Sequence, residues 1–268
     1  FNRCCSGGNG AFQGNGERQF VNNREKILRY YKSSGQDILA ARLLDLAEQA
    51  LRSRRFRVSD FLDPAGISVA ETVAAQWDGK VRLELQGGYE RAERVKAAFV
   101  SAEYYGAVDF GLRAIAVSWD KRYERLSHRD VLGGLLGVGI EREVLGDILM
   151  TSEGCQVLTD APLGDYLLQQ LSYLGGAQVS TKEISLAELE PKEETVKEIK
   201  TTVPSLRLDV VAASGYGVSR SRMAEEIKAD KLRVNWQPAK GGSQSVQQGD
   251  ILSLRGRGRV EIVEILGE

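Results

Sequence analysis

One histidine, His128, serves a chain of 268 residues. Zinc sites draw on sets of Cys and His ligands, and a His-based triad would have to be built around this single imidazole, so neither chemistry is expected. Cysteine is nearly as scarce. Cys4 and Cys5 are adjacent near the start, Cys155 stands alone, and there is no C-x-x-C pair. That pattern argues against a disulfide framework and for a reducing compartment. No apolar run approaches the roughly 18 residues that a membrane-crossing helix requires. No metal, cofactor or membrane span is therefore expected.

Net charge is also nearly absent, at −1, but the balance is uneven along the chain. Residues 1–57 hold 11 Lys/Arg against 5 Asp/Glu, residues 58–205 hold 15 against 24, and residues 206–268 hold 10 against 8. An acidic middle between basic ends is compatible with an anionic partner at the ends, or with solvated surfaces of mixed sign. The first residue is Phe1, which reads as a processed form or an expression product. The opening FNRCCSGGNGAFQGNGERQF has little to bury and is read as a disordered tail over 1–21. A remnant of organelle targeting, an expression scar or a plain tail all fit that composition.

Beyond it, Ile38, Leu39, Leu43, Leu46, Ala47, Ala50 and Leu51 recur at three- and four-residue spacing, so 22–57 is predicted helical. The basic run RSRRFR (52–57) closes that helix, where cations are favourable, with RNA contact as the alternative. DFLDPAG (60–66) is a stop, because Pro64 restricts the residue before it. Residues 67–77 read as another helix. VRLEL (81–85) alternates as a strand does, and GGYERAERVKAAFVS (87–101) is predicted as a turn and a helix. A strand at 108–120, a helix at 128–140, a hairpin across 143–160, a helix at 162–174 and a strand at 177–184 follow. This alternation predicts an α/β sandwich of the split βαβ type. The expected divisions are a helical N-terminal subdomain at 22–80, the α/β domain at 81–184, a linker at 185–204 and a small unit at 205–268.

Enzyme signatures fail on inspection. HRD (128–130) would need Asn five residues after its Asp to match a kinase catalytic loop, and that position is Leu135. GGLLGVG (133–139) lacks the closing G-K-[ST] of a phosphate loop. RLD (207–209) matches a short motif of some pseudouridine synthases, but it opens a helix in a unit too small for that active site. The chain is read as non-catalytic.

The small unit carries an electrostatic anomaly. Ser219 is a plausible N-cap for the helix RSRMAEEIK, yet Arg220 and Arg222 occupy its first turn. Each arginine there costs about 0.3–1 kcal/mol unless an anion is near. A pair between Arg222 and Glu226 or Glu225 is the bland explanation, worth a few tenths of a kcal/mol at best. Backbone donors, helix dipole and guanidinium groups together make a phosphate site.

At this point a family resemblance becomes specific. LRLDVVAASGYGVSRSRMAEEIKADKLRVNW (206–236) with GDILSLRGRGR (249–259) resembles the S4 RNA-binding domain, in Arg207–Asp209, Ser219–Ser221, Val234–Asn235 and Gly249–Asp250. Asp230 stands where that family usually has glycine, so a left-handed residue under some strain is expected there. FLDP (61–64), GGYERAER (87–94) and SHRDVLGGLLGVGIEREVLGDIL (127–149) extend the resemblance to YlmH-type proteins, nearest the photosystem II S4 domain branch of cyanobacteria and plant plastids.

The resemblance implies an α+β chain with an N-terminal helical segment, a central RRM-like α/β sandwich and a C-terminal S4 (αL-type) RNA-binding domain. It implies RNA as partner, rRNA or tRNA on the large ribosomal subunit, and a role related to ribosome-associated quality control. S4 domains read shape and phosphate, so Arg207, Ser219, Arg220, Ser221, Arg222, Lys228, Lys231, Arg233, Asn235 and Arg257 are the candidate RNA-binding residues. Arg129 and Arg142 are secondary candidates in the central region, or structural ion-pair partners. Asn235 equally suits a turn at the strand end, and RGRGR (255–259) a tight hairpin turn. The resemblance places the protein in the chloroplast stroma, with the cyanobacterial cytoplasm as alternative. Two other readings stay open: a photosystem II assembly or repair factor acting by protein interaction, and an S4-containing RNA-modifying enzyme.

Overall fold

Helix formation begins earlier than composition suggests. The computed structural model describes residues 14–77, 79–122, 124–191 and 196–266. Helix α1 runs Gly14–Lys32, so residues 14–21 are helical where a disordered tail was expected, and residues 1–13 lie outside the described residues. Helix α2 (Asp37–Ser53) buries Ala40, Leu43, Leu44, Ala47 and Ala50, one stripe at helical spacing. The chain divides into two compact units, Phe1–Lys192 and Glu193–Glu268.

In the first unit, α2 ends at Arg54, left-handed at φ 52, and the chain turns into strand β1 (Phe56–Leu62). The expected single helix over 22–57 is therefore two helices and the start of a strand. Gly35, at φ 70, makes the first break. The FLDP motif begins the next helix, α3 (Pro64–Ala74). The Asp63 carboxylate accepts from Gly66 N at 2.8 Å, and Pro64 sits where a missing N–H costs nothing. Strands β2 (Val81–Gln86) and β3 (Val95–Ser101) complete a three-stranded antiparallel sheet in the order β1-β3-β2. Helices α1, α2 and α3 close one face of it around Leu43, Val69, Trp77, Val81, Ala97 and Phe99.

Two corrections follow. The predicted helix over 87–101 is a turn and the strand β3. This central strand is buried on both faces, which erases the alternation that marks a strand. The division expected at residue 80 also fails, because β2 and β3 pair with β1 and belong to the N-terminal core.

The rest of the unit runs β4 (Leu112–Trp119), α4 (His128–Gly137), β5 (Leu145–Met150), β6 (Gly154–Asp160), α5 (Ala161–Gln170), β7 (Tyr173–Leu174) and β8 (Ala177–Ile184). The five strands form one antiparallel sheet in the order β5-β6-β4-β8-β7. The order of β5, β6, β4 and β8 is that of a split βαβ sandwich, with α4 and α5 over a core of Ile115, Val117, Leu135, Leu145, Val157 and Leu167. The HRD motif is structural here. Ser127 and Asp130 form a reciprocal capping box that starts α4.

A polar seam joins the two sheets. Arg94, 9% exposed, donates to the carbonyls of Leu145 (2.8 Å), Phe61 (3.0 Å) and Arg142 (3.0 Å). The Asp147 carboxylate accepts from the Tyr89 hydroxyl (2.8 Å), Glu93 N (2.7 Å) and Arg94 N (3.2 Å). These partners account for GGYERAER and for the aspartate of LGDIL.

The second unit holds α6 (Leu208–Gly215), α7 (Arg220–Lys228) and strands β9 (Leu232–Val234), β10 (Gln237–Pro238), β11 (Ile251–Leu254) and β12 (Gly258–Glu261). Its antiparallel sheet is ordered β10-β9-β11-β12, and both helices pack against Leu232, Val246 and Leu252 through Leu208, Ala212, Met223 and Ile227.

Candidate nucleic-acid interface

The first turn of α7 is explained by a residue eleven positions upstream. Asp209 is buried in the first turn of α6, beneath a loop whose Gly242 and Gln244 carbonyls accept from Asp209 N (3.0 Å) and Leu208 N (2.8 Å). Its carboxylate receives Arg207 Nε at 3.1 Å and Nη2 at 3.2 Å, and Arg220 Nε at 2.9 Å. The Arg207 hydrogen bond, aided by Arg220, holds the Asp209 carboxyl below the usual carboxylate range against the opposing effect of burial. So Arg220 already has an anion, supplied by the chain itself. The RLD and SRS motifs are two halves of one clamp.

A second carboxylate organises the other cations. Glu226, partly buried on α7, receives Lys231 Nζ at 2.8 Å and lies 4.0 Å from Arg222 Nε. Its carboxyl is held low by the Lys231 hydrogen bond first, then by the charges of Lys231, Arg222 and Arg257. One acid thus pairs with Lys231, just beyond the end of α7, and feels the charges of Arg222 in the first turn of α7 and Arg257 in the β11–β12 turn. The bland pairing of Arg222 with Glu226 exists, but only at the outer limit of an ion pair.

Backbone geometry fixes these positions. Ser219 caps α7, its hydroxyl accepting from Arg222 N at 3.3 Å and lying 3.2 Å from the Ser221 hydroxyl. The helix ends at Asp230, left-handed at φ 54 as expected for the glycine position. Asp230 N donates to Ile227 O (3.1 Å) and Lys231 N to Glu226 O (3.1 Å), the paired bonds of a Schellman ending. Arg233 stands exposed between buried Leu232 and Val234. It is aligned across the sheet with Ser253 and, through it, with Arg259. RGRGR is the hairpin turn between β11 and β12, with Gly256 at φ 82 and Gly258 at φ 84. Arg255 and Arg257 are exposed there, and Lys228 is exposed in the last turn of α7.

Asn235 does the work of a turn. Its amide donates to Asp250 Oδ1 at 2.8 Å and accepts from Ile251 N at 2.9 Å. Two central-region candidates separate in the same way. Arg129 is exposed on the first turn of α4, whereas Arg142 donates to the carbonyls of Leu145 and Gly146 at 3.2 Å each. Burial lowers the Arg142 pKa. That guanidinium supports β5.

The outer face of the five-stranded sheet is covered over β6, while Ser180 and Lys182 of β8 stay exposed on it. An RRM stacks bases on that face with aromatic side chains. Here Gln156, 6% exposed, donates to Glu188 O at 2.9 Å and accepts from Glu190 N at 2.7 Å. Leu158 is fully buried on the same face, against Gly88 and near Leu186. The start of the expected linker, residues 186–190, is therefore a strap on this sheet. Among the described residues, no group of three or more His, Cys, Asp or Glu could hold a metal ion, and no helix is long and apolar enough to cross a membrane.

Sequence reasoning missed Asp209 and Glu226 as organisers. An Asp at a helix start is ordinary, and nothing in one dimension shows Arg220 folding back on it.

Comparisons with known proteins divide the chain at the same places. Family models match at residues 38–104 ("YlmH, N-terminal"), 106–188 ("Putative RNA-binding domain in YlmH") and 206–252 ("S4 domain"). The "Ribosome-associated protein quality control protein P2" of Bacillus subtilis is 37% identical over 216 residues, covering 80% of this chain and 83% of the relative. Among solved structures, the "Cell division protein ylmH from Streptococcus pneumoniae" is 18% identical, with a TM-score of 0.43, over 68% of this chain and 98% of that one.

Proposed function

The chain belongs to the YlmH family, and from that premise we propose that it is a non-catalytic RNA-binding protein that works on the ribosome. One observation carries the reading. Asp209 pairs with Arg207 and Arg220, and Glu226 pairs with Lys231 and lies at the outer limit of an ion pair with Arg222, in a unit that also exposes Lys228, Arg233 and Arg257. Arg207 before α6, Arg220, Arg222 and Lys228 on α7, Lys231 just beyond it, Arg233 on β9 and Arg257 in the β11–β12 turn give this small unit seven cations suited to a phosphate backbone, which positions a protein without reading sequence. Internal carboxylates do not cancel such a surface. They preorganise it, and the exposed cations meet RNA by releasing its counterions.

The partner proposed is structured rRNA or tRNA on the large ribosomal subunit. Support comes from the S4 match and from the name of the Bacillus relative, a ribosome-associated quality-control protein. The setting proposed is the chloroplast stroma, supported by the resemblance to the photosystem II S4 branch. On this reading any effect on photosystem II runs through translation.

The test is co-sedimentation with purified large ribosomal subunits on sucrose gradients. Wild type is expected in the subunit fraction, and Lys228→Ala/Arg233→Ala/Arg257→Ala at the top. These three are chosen because Arg220→Ala would also strip a partner from buried Asp209. Equal sedimentation of the two proteins would overturn the interface. Formation of pseudouridine in rRNA incubated with the protein would overturn the non-catalytic reading.

A further inference from the structure

The turn between β9 and β10 holds an anomaly that the basic surface leaves unused. Asn235 (φ 48) and Trp236 (φ 62) are both left-handed, and Val234 pairs with Gln237 across them. Two central residues at positive φ make a type I′ hairpin, whose second position glycine dominates. Asparagine tolerates this conformation, whereas for a bulky residue it is a genuine outlier. Trp236 is of intermediate exposure, so part of its indole faces solvent. Its turn is firmly held. Asn235 is tied to β11 by three hydrogen bonds, from its backbone N to Ile251 O (2.9 Å), from its amide to Asp250 (2.8 Å) and from Ile251 N to its side-chain oxygen (2.9 Å). Arg233 Nη1 donates to the Trp236 carbonyl at 3.3 Å, so the indole begins beside an exposed cation of the interface.

We infer that Trp236 is a base-stacking residue of this interface and that its RNA partner presents an unpaired nucleobase next to a helical backbone. This inference rests on the RNA-binding reading above and sharpens it. A strained residue persists where its surroundings over-determine it, and such sites cluster where function needs them. An indole plane offered by a fixed turn suits a π-face that every base has, while the neighbouring cations hold phosphate. A continuous duplex hides its bases from that plane. A bulge, loop or stem end does not.

The experiment uses the full chain and two RNA stems of identical length, one fully paired with capped ends and one carrying a single bulged nucleotide. The three tryptophans separate cleanly: Trp77 is 5% exposed and Trp119 8%, so solvent-sensitive emission reports Trp236. The bulged RNA is expected to quench that emission and to bind more tightly than the paired stem. Trp236→Gly is expected to weaken bulge binding roughly 5- to 150-fold, the span of one base–aromatic stack. It is also expected to leave the paired stem unaffected and to melt at or above the wild-type temperature, because glycine relieves the strain. Trp236→Phe retains a ring and is expected to fall between. Salt-sensitive binding of both RNAs with no quench, or with Trp236→Gly unchanged, would overturn the stacking role and leave the phosphate interface standing. Binding of neither RNA would overturn both.

Discussion

Replacing Arg94 by Met tests the seam that joins the two sheets of the first unit. The guanidinium satisfies three backbone carbonyls at 2.8, 3.0 and 3.0 Å, and the residue is 9% exposed. Methionine keeps most of the aliphatic volume and removes the Arg94 donors, leaving the Leu145 carbonyl only Arg142 Nη1 at 3.2 Å among side-chain donors. Hydrogen bonds to a charged group contribute about 1.5–3 kcal/mol each, and orphaned buried acceptors cost about 1–3 kcal/mol. The three bonds share one side chain and are not additive, so the expected loss is about 3–5 kcal/mol. Arg94→Lys is expected to recover only a minor part, because one ammonium point charge cannot span three carbonyls that a planar fork reaches. Asp147 keeps its three donors in either variant, since they come from Tyr89 and from the backbone of Glu93 and Arg94. The assay is urea unfolding followed by the emission of Trp77 and Trp119, which lie in the two cores on either side of the seam. The midpoint should fall with an unchanged slope, the signature of lost stability without a change in exposed surface. A loss below about 1 kcal/mol for Arg94→Met would refute the reasoning.

Asp209→Asn removes the anion beneath Arg207 and Arg220. The folded Asp209 carboxyl is held below its ordinary value, so its contribution is full above the unfolded value near 4 and is lost as pH falls through the folded value. The variant should melt below wild type at pH 7 and converge with it toward pH 3, as read by thermal melts at both pH values. Gly154→Ala probes the pairing of β4 and β6. A Cβ there would clash with Val117 O and stand 2.9 Å from Ser118 Cα, both backbone atoms, so a loss of about 1–3 kcal/mol in thermal or urea unfolding is expected.

The S4 unit was the most legible part of the sequence because its signals are local. The Ser219 cap, the stripe of Met223 and Ile227, the left-handed Asp230 and the glycines of RGRGR each act within a turn or two. The hairpin of β5 and β6 and the helices α4 and α5 were legible for the same reason. Strand β3 was not. Its burial pattern, with both faces covered, leaves VKAAFVS a near-continuous apolar run that suits a buried helix equally. Misreading it moved the expected domain division from the end of β3 to residue 80. The RSRRFR run hid a boundary, because nothing marks Arg54 as left-handed in advance. At the interface, the cations were visible and their organisers were not. Two arginines at the wrong end of a helix implied a missing anion. Part of that anion is Asp209, brought near by the packing of α6 on α7 rather than by any spacing in the sequence.

The most direct measurement of the central claim is the salt dependence of RNA binding. Wild type and Lys228→Ala/Arg233→Ala/Arg257→Ala are titrated with large-subunit rRNA and with tRNA over about 50–300 mM salt, and log affinity is plotted against log salt. Each duplex phosphate contact adds about 0.9 to the slope, so the triple variant should lose roughly 2 to 3 in slope along with affinity. An affinity and slope unchanged from wild type would contradict the account.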